Sequence, residues 1–216
     1  MTRVRAAVRR ALRPVRRRVR PSQIERRLAA VALGPGDVAI DCGANVGDVT
    51  VELARSGAEI HSFEPNPDAF EALERRAGAL PNVRLYPLAV LDRDGPVRLY
   101  LHRRAGEDPL RWSPGSSLLP FKGNVDVDAH VDVDAVDLSR FVLELERPVR
   151  LVKIDVEGVE HAIVHRLIDS GAIERIETVL VEVHDAHVPE LRAETARLRE
   201  RLLAEGLEAK VRTDWI

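Results

Sequence analysis

The stretch "DVAIDCGANVGDVT", residues 37–50, joins a short apolar run, a loop with two glycines and a run with helical character. The apolar run ends in Asp41, and the loop contains Gly43 and Gly47. Glycines at such positions allow a tight turn and a close approach of the backbone to a ligand. The stretch therefore predicts a strand, a ligand-binding loop and a helix in succession.

Downstream of this unit, β-type runs alternate with helical patterns. The β-type runs are "AEIHSFEP", "VRLYPLAV", "VRLVKIDV" and "ETVLVEVH", and the helical patterns include "PDAFEALERRAGAL", "VEHAIVHRLIDSG" and "PELRAETARLRERLLAEG". This order predicts an α/β fold: a doubly wound, mostly parallel sheet with helices on both faces. Ligands of such sheets bind beyond the carboxyl ends of the strands, near the switch in strand order.

Residues 91–129 interrupt the alternation. They contain a turn signal, "DRDG", a β-type run, "PVRLYL", and a segment rich in Gly, Pro and Ser, "EDPLRWSPGSSLLPFKGN". This composition predicts a long surface excursion, followed by an extended run, "HVDVDAV". Near the end of the chain, "LEAKVRT" predicts one closing strand before "DWI".

The composition is that of a soluble globular protein. The chain has 216 residues, of which 45% are hydrophobic and 31% charged, and no apolar run approaches the roughly 20 residues of a membrane helix. Cys42 is the only cysteine, so a disulfide within the chain is excluded. This agrees with a reducing compartment, and we expect a cytoplasmic location.

The net charge of −2 hides an asymmetry. Residues 1–27 contain eleven arginines and one acid, so they carry about +10 and the remainder about −12. We predict a basic arm over residues 1–36 and a folded domain over residues 37–216. The arm is either a solvated extension or an attachment to an anionic membrane surface, an acidic partner or nucleic acid. It has no aromatic residue to stack on bases.

Glu64 follows the first glycine by about twenty residues, at the end of the second predicted strand. A carboxylate there can accept both hydrogen bonds of a ribose diol, so we predict an adenosine-containing ligand. The loop lacks the G-x-G-x-x-G pattern of dinucleotide sites and the lysine of a phosphate loop. Because Asp41 would repel a pyrophosphate but suit an ammonium group, S-adenosylmethionine fits best.

The run "LVKIDVEGVE", residues 151–160, places Lys153, Asp155 and Glu157 on one side of an extended chain. This alternation fits a strand with one wet face. The neighbouring segments favour a covered strand instead, where charges are costly unless they serve a purpose.

These segments resemble the FkbM family of S-adenosylmethionine-dependent methyltransferases. The resemblance rests on "AIDCGANVGDVT", "FEPNPDAFEAL", "GSSLL" and above all "LVKIDVEGVEHAIV". It implies a class I methyltransferase fold, Rossmann-like, and methyl transfer to a hydroxyl oxygen. By position, it also implies the following cofactor-binding residues: Asp41, Gly43, Asn45, Gly47, Glu64 and Ala89. Asp155 would then lie at the end of the fourth strand, facing the methyl group.

Methyl transfer to oxygen needs a group that orients the hydroxyl or takes its proton. We predict Asp155 in this role, with His184 as the other candidate base and Lys153 paired with Asp155 or Glu182. Lys153 is also explained as an internal salt-bridge partner, and Glu157 as the start of the next helix. We predict no metal, although Asp155, His184 and Asp185 together offer ligands for a divalent ion.

The sequence thus predicts an O-methyltransferase that acts on a small molecule or glycan, with the acceptor selected by residues 91–129. Two alternatives are a nucleic-acid methyltransferase, favoured by the basic arm, and a non-catalytic module that binds an adenosine ligand. The negative charge of the body disfavours nucleic acid as a partner.

Overall fold

Six parallel strands form the central sheet in the computed structural model of the protein, which describes Leu28 and residues 30–213. From edge to edge the strands are β3 (Val83–Tyr86), β2 (Glu59–Phe63), β1 (Val38–Cys42), β7 (Val149–Ile154), β8 (Ile176–Val181) and β9 (Val211–Arg212). The strand order reverses between β1 and β7, which pair with each other. This is the switch point at which open α/β sheets bind ligands.

Helices cover both faces of this sheet. They are α1 (Asp48–Ala54), α2 (Pro67–Ala77), α3 (Pro109–Trp112), α4 (Leu138–Glu144), α5 (Glu160–Asp169) and α6 (Arg192–Ala204). Leu53 of α1 packs on one face with Leu151 of β7, whereas Val164 of α5 packs on the other face with Val152. The predicted doubly wound α/β fold is therefore confirmed.

Much of the excursion belongs to a second sheet, which has three strands. Its order is β4 (Ala89–Leu91), β6 (Val125–Asp137) and β5 (Gly95–His102), with β4 parallel and β5 antiparallel to β6. Three short 3-10 turns lie elsewhere, at Ser113–Gly115, Ala172–Arg175 and Pro189–Leu191.

Two predicted elements are corrected by the structure. The run "VRLYPLAV" forms two strands in different sheets, because Pro87 between them has no N–H to donate to a ladder. Strand β6 begins at Val125, five residues before the extended run that the sequence predicted.

The excursion is also less exposed than predicted. Ser113, Ser116 and Ser117 are buried, because the segment folds back over the carboxyl ends of the central strands. It thereby forms one wall of the site described below.

The chain ends within the described part on β9, which pairs in parallel with β8. The one closing strand predicted from "LEAKVRT" is confirmed. The arginine-rich residues 1–27 and "DWI", residues 214–216, lie outside the described residues. None of the helices in the described part is both long and apolar enough to cross a membrane.

Candidate active site

The glycine loop lies directly against the end of β7. Gly43 follows β1 with a φ of +77°, and a Cβ atom there would lie 1.8 Å from the carbonyl oxygen of Asp155. Only a residue without a side chain permits this approach. Gly47, with a φ of +89°, precedes α1, and a Cβ atom there would lie 2.7 Å from Leu73 of α2. Gly43 therefore brings the loop to the site, whereas Gly47 allows the two helices to pack.

Glu64 is held rigidly one residue after β2. Its two carboxylate oxygens accept hydrogen bonds from the backbone N–H groups of Asn45 and Asn66, both at 2.8 Å. Burial raises the pKa of Glu64 to about 7, although the two hydrogen bonds oppose that rise. Each oxygen keeps a further lone pair, so the carboxylate can accept two ligand hydroxyls.

A cavity of about 90 Å³, the donor cavity, lies between the loop and the excursion. Five of the predicted site residues line it: Gly43, Asn45, Glu64, Ala89 and Asp155. Ala89 belongs to an apolar wall with Val90, Leu99 and Leu118. Glu64 and Asp155 thus open into the same space, with apolar surface between polar ends, as expected for a nucleoside pocket.

Asp41 and Lys153 lie beneath this cavity. Lys153 is 2% exposed, and its ammonium lies 3.2 Å from Asp41, 3.3 Å from Asp155 and 2.8 Å from the carbonyl oxygen of Gly43. Burial alone would lower the pKa of Lys153. The charges of Asp41 and Asp155 outweigh burial, so the pKa lies above its ordinary value. The fully buried Asp41 also accepts a hydrogen bond from Thr50.

Asp41 and Lys153, predicted as a cofactor-binding and a catalytic residue, do not line either cavity. They pair with each other beneath the loop, and Thr50 donates to the other carboxylate oxygen of Asp41. Their roles toward cofactor and acceptor stay predictions, and Lys153 has the contacts of an internal salt-bridge partner. Its pairing with Asp155 is confirmed, whereas no ion pair joins it to Glu182 within the described part of the chain.

Glu157, which follows β7, lines a second cavity. This acceptor cavity, of about 530 Å³, is lined by residues that include His184, Glu182 and Glu157, and Glu157 also lines the donor cavity. The Nε2 atom of His184 lies 3.3 Å from Glu157 and 3.7 Å from Asp155. Asp155 and His184 therefore lie on opposite sides of one junction between two cavities.

Glu160 is a residue of this site that the sequence prediction missed. It is fully buried, accepts the N–H groups of Val156 and Gly158, and lies 2.9 Å from the Nδ1 atom of His184 as an ion pair. Burial lowers the pKa of His184, but Glu160 raises it by more, with help from Glu157, and the result is about 9. The signal was present in the sequence as the last acid of "IDVEGVE".

Serine side chains of the excursion form hydrogen bonds with the glycine loop and with the segments that follow β2 and β7. The Oγ atom of Ser113 accepts the side-chain amide of Asn45 at 2.9 Å, and that of Ser116 accepts the amide of Asn66 at 3.3 Å. Ser117 donates to the carbonyl oxygen of Glu157 at 2.7 Å. The segment thus forms part of the wall of both cavities, and Pro114 lines each of them.

Metal-ligand atoms of Asp155, Glu157 and His184 all lie within 4.8 Å of one another. Asp185, which the sequence offered as a ligand, is not part of this group. Two of the carboxylates already contact cations of the chain, Lys153 at Asp155 and Lys122 at Glu157. The chain thus supplies counter-charges that a metal would otherwise provide.

The protein has a class I, Rossmann-like methyltransferase fold. Its parallel sheet has the switch point beside a glycine loop, and an acid, Glu64, follows the next strand. The family profile described as "Methyltransferase FkbM domain" matches residues 41–209. The chain belongs to this family, as the resemblance predicted.

Curated relatives match at lower identity. The hexuronic acid methyltransferase AglP of Haloferax volcanii is 26% identical over 68% of this chain and 56% of its own length. The 2-O-methyltransferase NoeI of Sinorhizobium fredii is 26% identical over 66% of this chain and 62% of its own length. The 31-O-demethyl-FK506 methyltransferase FkbM of Streptomyces tacrolimicus is 28% identical, over 72% and 68%. The chain therefore spans less than two thirds of the first two relatives.

Proposed function

We propose that the chain is an S-adenosylmethionine-dependent O-methyltransferase that acts on a hydroxyl of a small molecule or glycan. The observation that carries this proposal is the junction of two cavities at Glu157, with Asp155 on the donor side and His184 on the acceptor side. A group transfer between two ligands needs this arrangement, because the donor and acceptor atoms must meet in line. A module that only binds a nucleoside has no need of the second cavity.

The donor cavity suits a nucleoside with a positive charge. The Glu64 carboxylate offers both oxygens to a ribose diol, the Ala89 wall offers apolar contact to a base, and Asp155 offers a carboxylate at the far end. S-adenosylmethionine supplies a methyl group on a sulfonium, which makes that carbon electrophilic. The residues around the cavity fit its diol, its base and its charge.

The chain's own residues then handle the acceptor proton. At neutral pH the raised pKa holds His184 as a cation, and its Nε2 atom lies 3.3 Å from Glu157 and 3.7 Å from Asp155. A second positive charge in the donor cavity would repel this imidazolium and lower the pKa of His184. His184 or the Asp155 carboxylate can then accept the hydroxyl proton as the new C–O bond forms.

Oxygen as the acceptor atom is supported by relatives. Two of the matched relatives carry a position on oxygen in their names, a 2-O-methyltransferase and a 31-O-demethyl-FK506 methyltransferase. One of the three relatives described above is named for a sugar acid. These names favour a hydroxylated acceptor for this chain.

Calorimetry with S-adenosylmethionine tests the donor half of the proposal. We expect Glu64→Ala to weaken binding by on the order of 2 to 3 kcal/mol, because two charge-assisted hydrogen bonds are lost. Glu59→Ala is the matched control, since Glu59 begins the same strand and pairs instead with Arg84 and Arg147. No binding heat and no thermal shift with the unaltered protein would overturn the proposal.

Asp155→Asn separates an enzyme from a binding module. The variant keeps the shape of the side chain but removes the charge that faces the junction. We expect near-normal S-adenosylmethionine binding and at least a hundredfold loss of methyl transfer, assayed over hydroxylated sugars, lipids and polyketide-like compounds. Equal transfer by both proteins would remove Asp155 from the mechanism.

A further inference from the structure

The charged residues that line the acceptor cavity fall into two groups. Glu157 and Glu182 lie with His184 and Lys122 beside the donor cavity, whereas Arg111, His102 and His187 line other parts of the wall. The first group is balanced internally, because Lys122 pairs with Glu157 and the pKa of His184 is raised to about 9, so Arg111 is the cation of the wall to consider next. This pattern bears on the acceptor and rests on the proposed function.

Arg111 is the cation best placed to meet a ligand. It lines the cavity, is exposed, and has no carboxylate within 4.0 Å in residues 30–213. Its guanidinium lies 5.3 Å from the centre of the Trp112 ring, which limits its freedom. A guanidinium held by an aromatic ring and left without a carboxylate partner is a suitable anion ligand.

The surroundings of Arg111 add positive charge. Arg104 lies 4.2 Å over Trp112, His102 stacks on the same ring at 4.6 Å, and Arg103 donates to the carbonyl oxygen of Gly123. Burial, followed by the charges of Arg103 and Arg104, lowers the pKa of His102. Arg104 is partly neutralised by Glu107, but Arg103 has no acidic partner within the described part of the chain.

The positive charge around Arg111 contrasts with the body as a whole, which carries about −12 over residues 28–216. A long polyanion would meet repulsion from the body, whereas a single anionic group at Arg111 would not. With a volume of about 530 Å³, the cavity has room for a compact ligand that reaches from Arg111 to His184.

We propose that the methyl acceptor is a hydroxylated small molecule or sugar unit with one anionic group, a carboxylate or a phosphate, which Arg111 binds while the hydroxyl reaches His184 and Glu157. The anion would fix the orientation of the acceptor and so select which hydroxyl is methylated. Transfer then forms the methyl–oxygen bond, breaks the methyl–sulfur bond, and leaves the hydroxyl proton on the chain.

Matched acceptors test this proposal on the full chain with S-adenosylmethionine. The probes are methyl β-glucoside, the corresponding methyl glucuronoside, and glucose 6-phosphate, with 3-hydroxybenzoate and 3-hydroxybenzamide as a second scaffold. Methyl transfer is measured for each probe, and ligand-observed NMR measures binding in the presence of S-adenosylhomocysteine. The variants are Arg111→Gln and, as a control, Arg98→Gln, an exposed arginine of β5 that does not line the acceptor cavity.

We expect at least one anionic probe to bind and react at least tenfold better than its neutral match. Arg111→Gln should remove this preference, and Arg98→Gln should keep it. Preference for the carboxylates or for the phosphate would each support the proposal and identify the anion.

Three results would overturn the proposal. In the first, no anionic probe binds although S-adenosylmethionine does. In the second, neutral and anionic probes are methylated equally. In the third, Arg111→Gln keeps the preference for the anionic probe. Methylation of RNA instead of every small probe would also contradict it. Absence of S-adenosylmethionine binding would instead be a failure of the proposed function itself.

Discussion

At the scale of single residues, the site depends on buried charges whose protonation is set by their neighbours. Glu160 illustrates this, because one carboxylate holds both the turn after β7 and the imidazole of His184. Its loss would therefore change the geometry and the charge of the junction together.

We expect Glu160→Gln to lower the pKa of His184 from about 9 toward its usual value near 6.5. Because the folded-state pKa is raised, the pair stabilises the protein fully below about pH 6.5, and this stabilisation is lost as the pH rises through 9. Urea unfolding at pH 7 and pH 10 should thus show a smaller loss in the variant than in the unaltered protein. An NMR titration of the imidazole measures the pKa directly, and Glu182→Gln, which leaves the Glu160 pair intact, is the control.

Glu64 predicts a pH dependence of cofactor binding. Its pKa of about 7 means that the ligand-free carboxyl becomes protonated as the pH falls below neutrality. Because the ionised form accepts both diol hydroxyls, affinity for S-adenosylmethionine should fall by up to about tenfold per pH unit below 7. Calorimetry at pH 6 and pH 8 measures the effect. The same pH dependence in Glu64→Gln would assign it to another group.

At the scale of elements, the site is formed where β1, β2 and β7 end at the same edge of the sheet. The loop after β1 rests on the chain after β7, with Gly43 as the contact point. The register of these strands thus decides whether the donor cavity exists.

We expect Gly43→Ala to destabilise the fold by on the order of 3 kcal/mol or more, because the new Cβ would overlap the Asp155 carbonyl oxygen and the φ is positive. It should also reduce cofactor binding by displacing the loop. Chemical denaturation and calorimetry measure the two effects. Gly34→Ala is the control, because its Cβ would meet nothing within 4 Å. Equal stability of the two variants would contradict this account of the loop.

The sequence predicted the elements better than it predicted their contacts. The glycine loop, Glu64 and Asp155 could be predicted to lie together because each follows a strand, and the ends of parallel strands gather at one edge. The pairing of Asp41 with Lys153 could not be predicted, since the sequence alone did not show that Lys153 lies beneath the loop. Glu160 and the serines of the excursion were missed because their roles depend on contacts between segments distant in sequence or on the path of a loop.

At the scale of the whole molecule, the charge is divided between a basic first segment and an acidic body. Contact of residues 1–27 with an anionic surface and a solvated extension are both predictions that this division allows. The residues that line the two cavities lie between Gly43 and His187.

Replacing Arg16, Arg17 and Arg18 with glutamine tests the role of the arm. If the arm binds an anionic membrane, each arginine contributes about 1 kcal/mol, so the triple variant should bind phosphatidylglycerol vesicles roughly a hundredfold more weakly. Vesicle sedimentation at low and high salt measures the difference. Replacing Arg192, Arg197 and Arg199 of α6 provides a control with the same change in charge. Weak vesicle binding that neither triple variant alters would favour the solvated extension.

The serine fastening of the excursion also constrains how this fold can diversify. A protein that replaces the excursion with another segment needs hydroxyl-bearing residues opposite Asn45 and Asn66. Otherwise both side-chain amides lose their partners at the nucleoside pocket. The other positions of the excursion can then change with the acceptor, while Ser113 and Ser116 are retained together with the residues of the nucleoside pocket. Recognition of new substrates can therefore evolve without rebuilding the methyl-donor half of the protein.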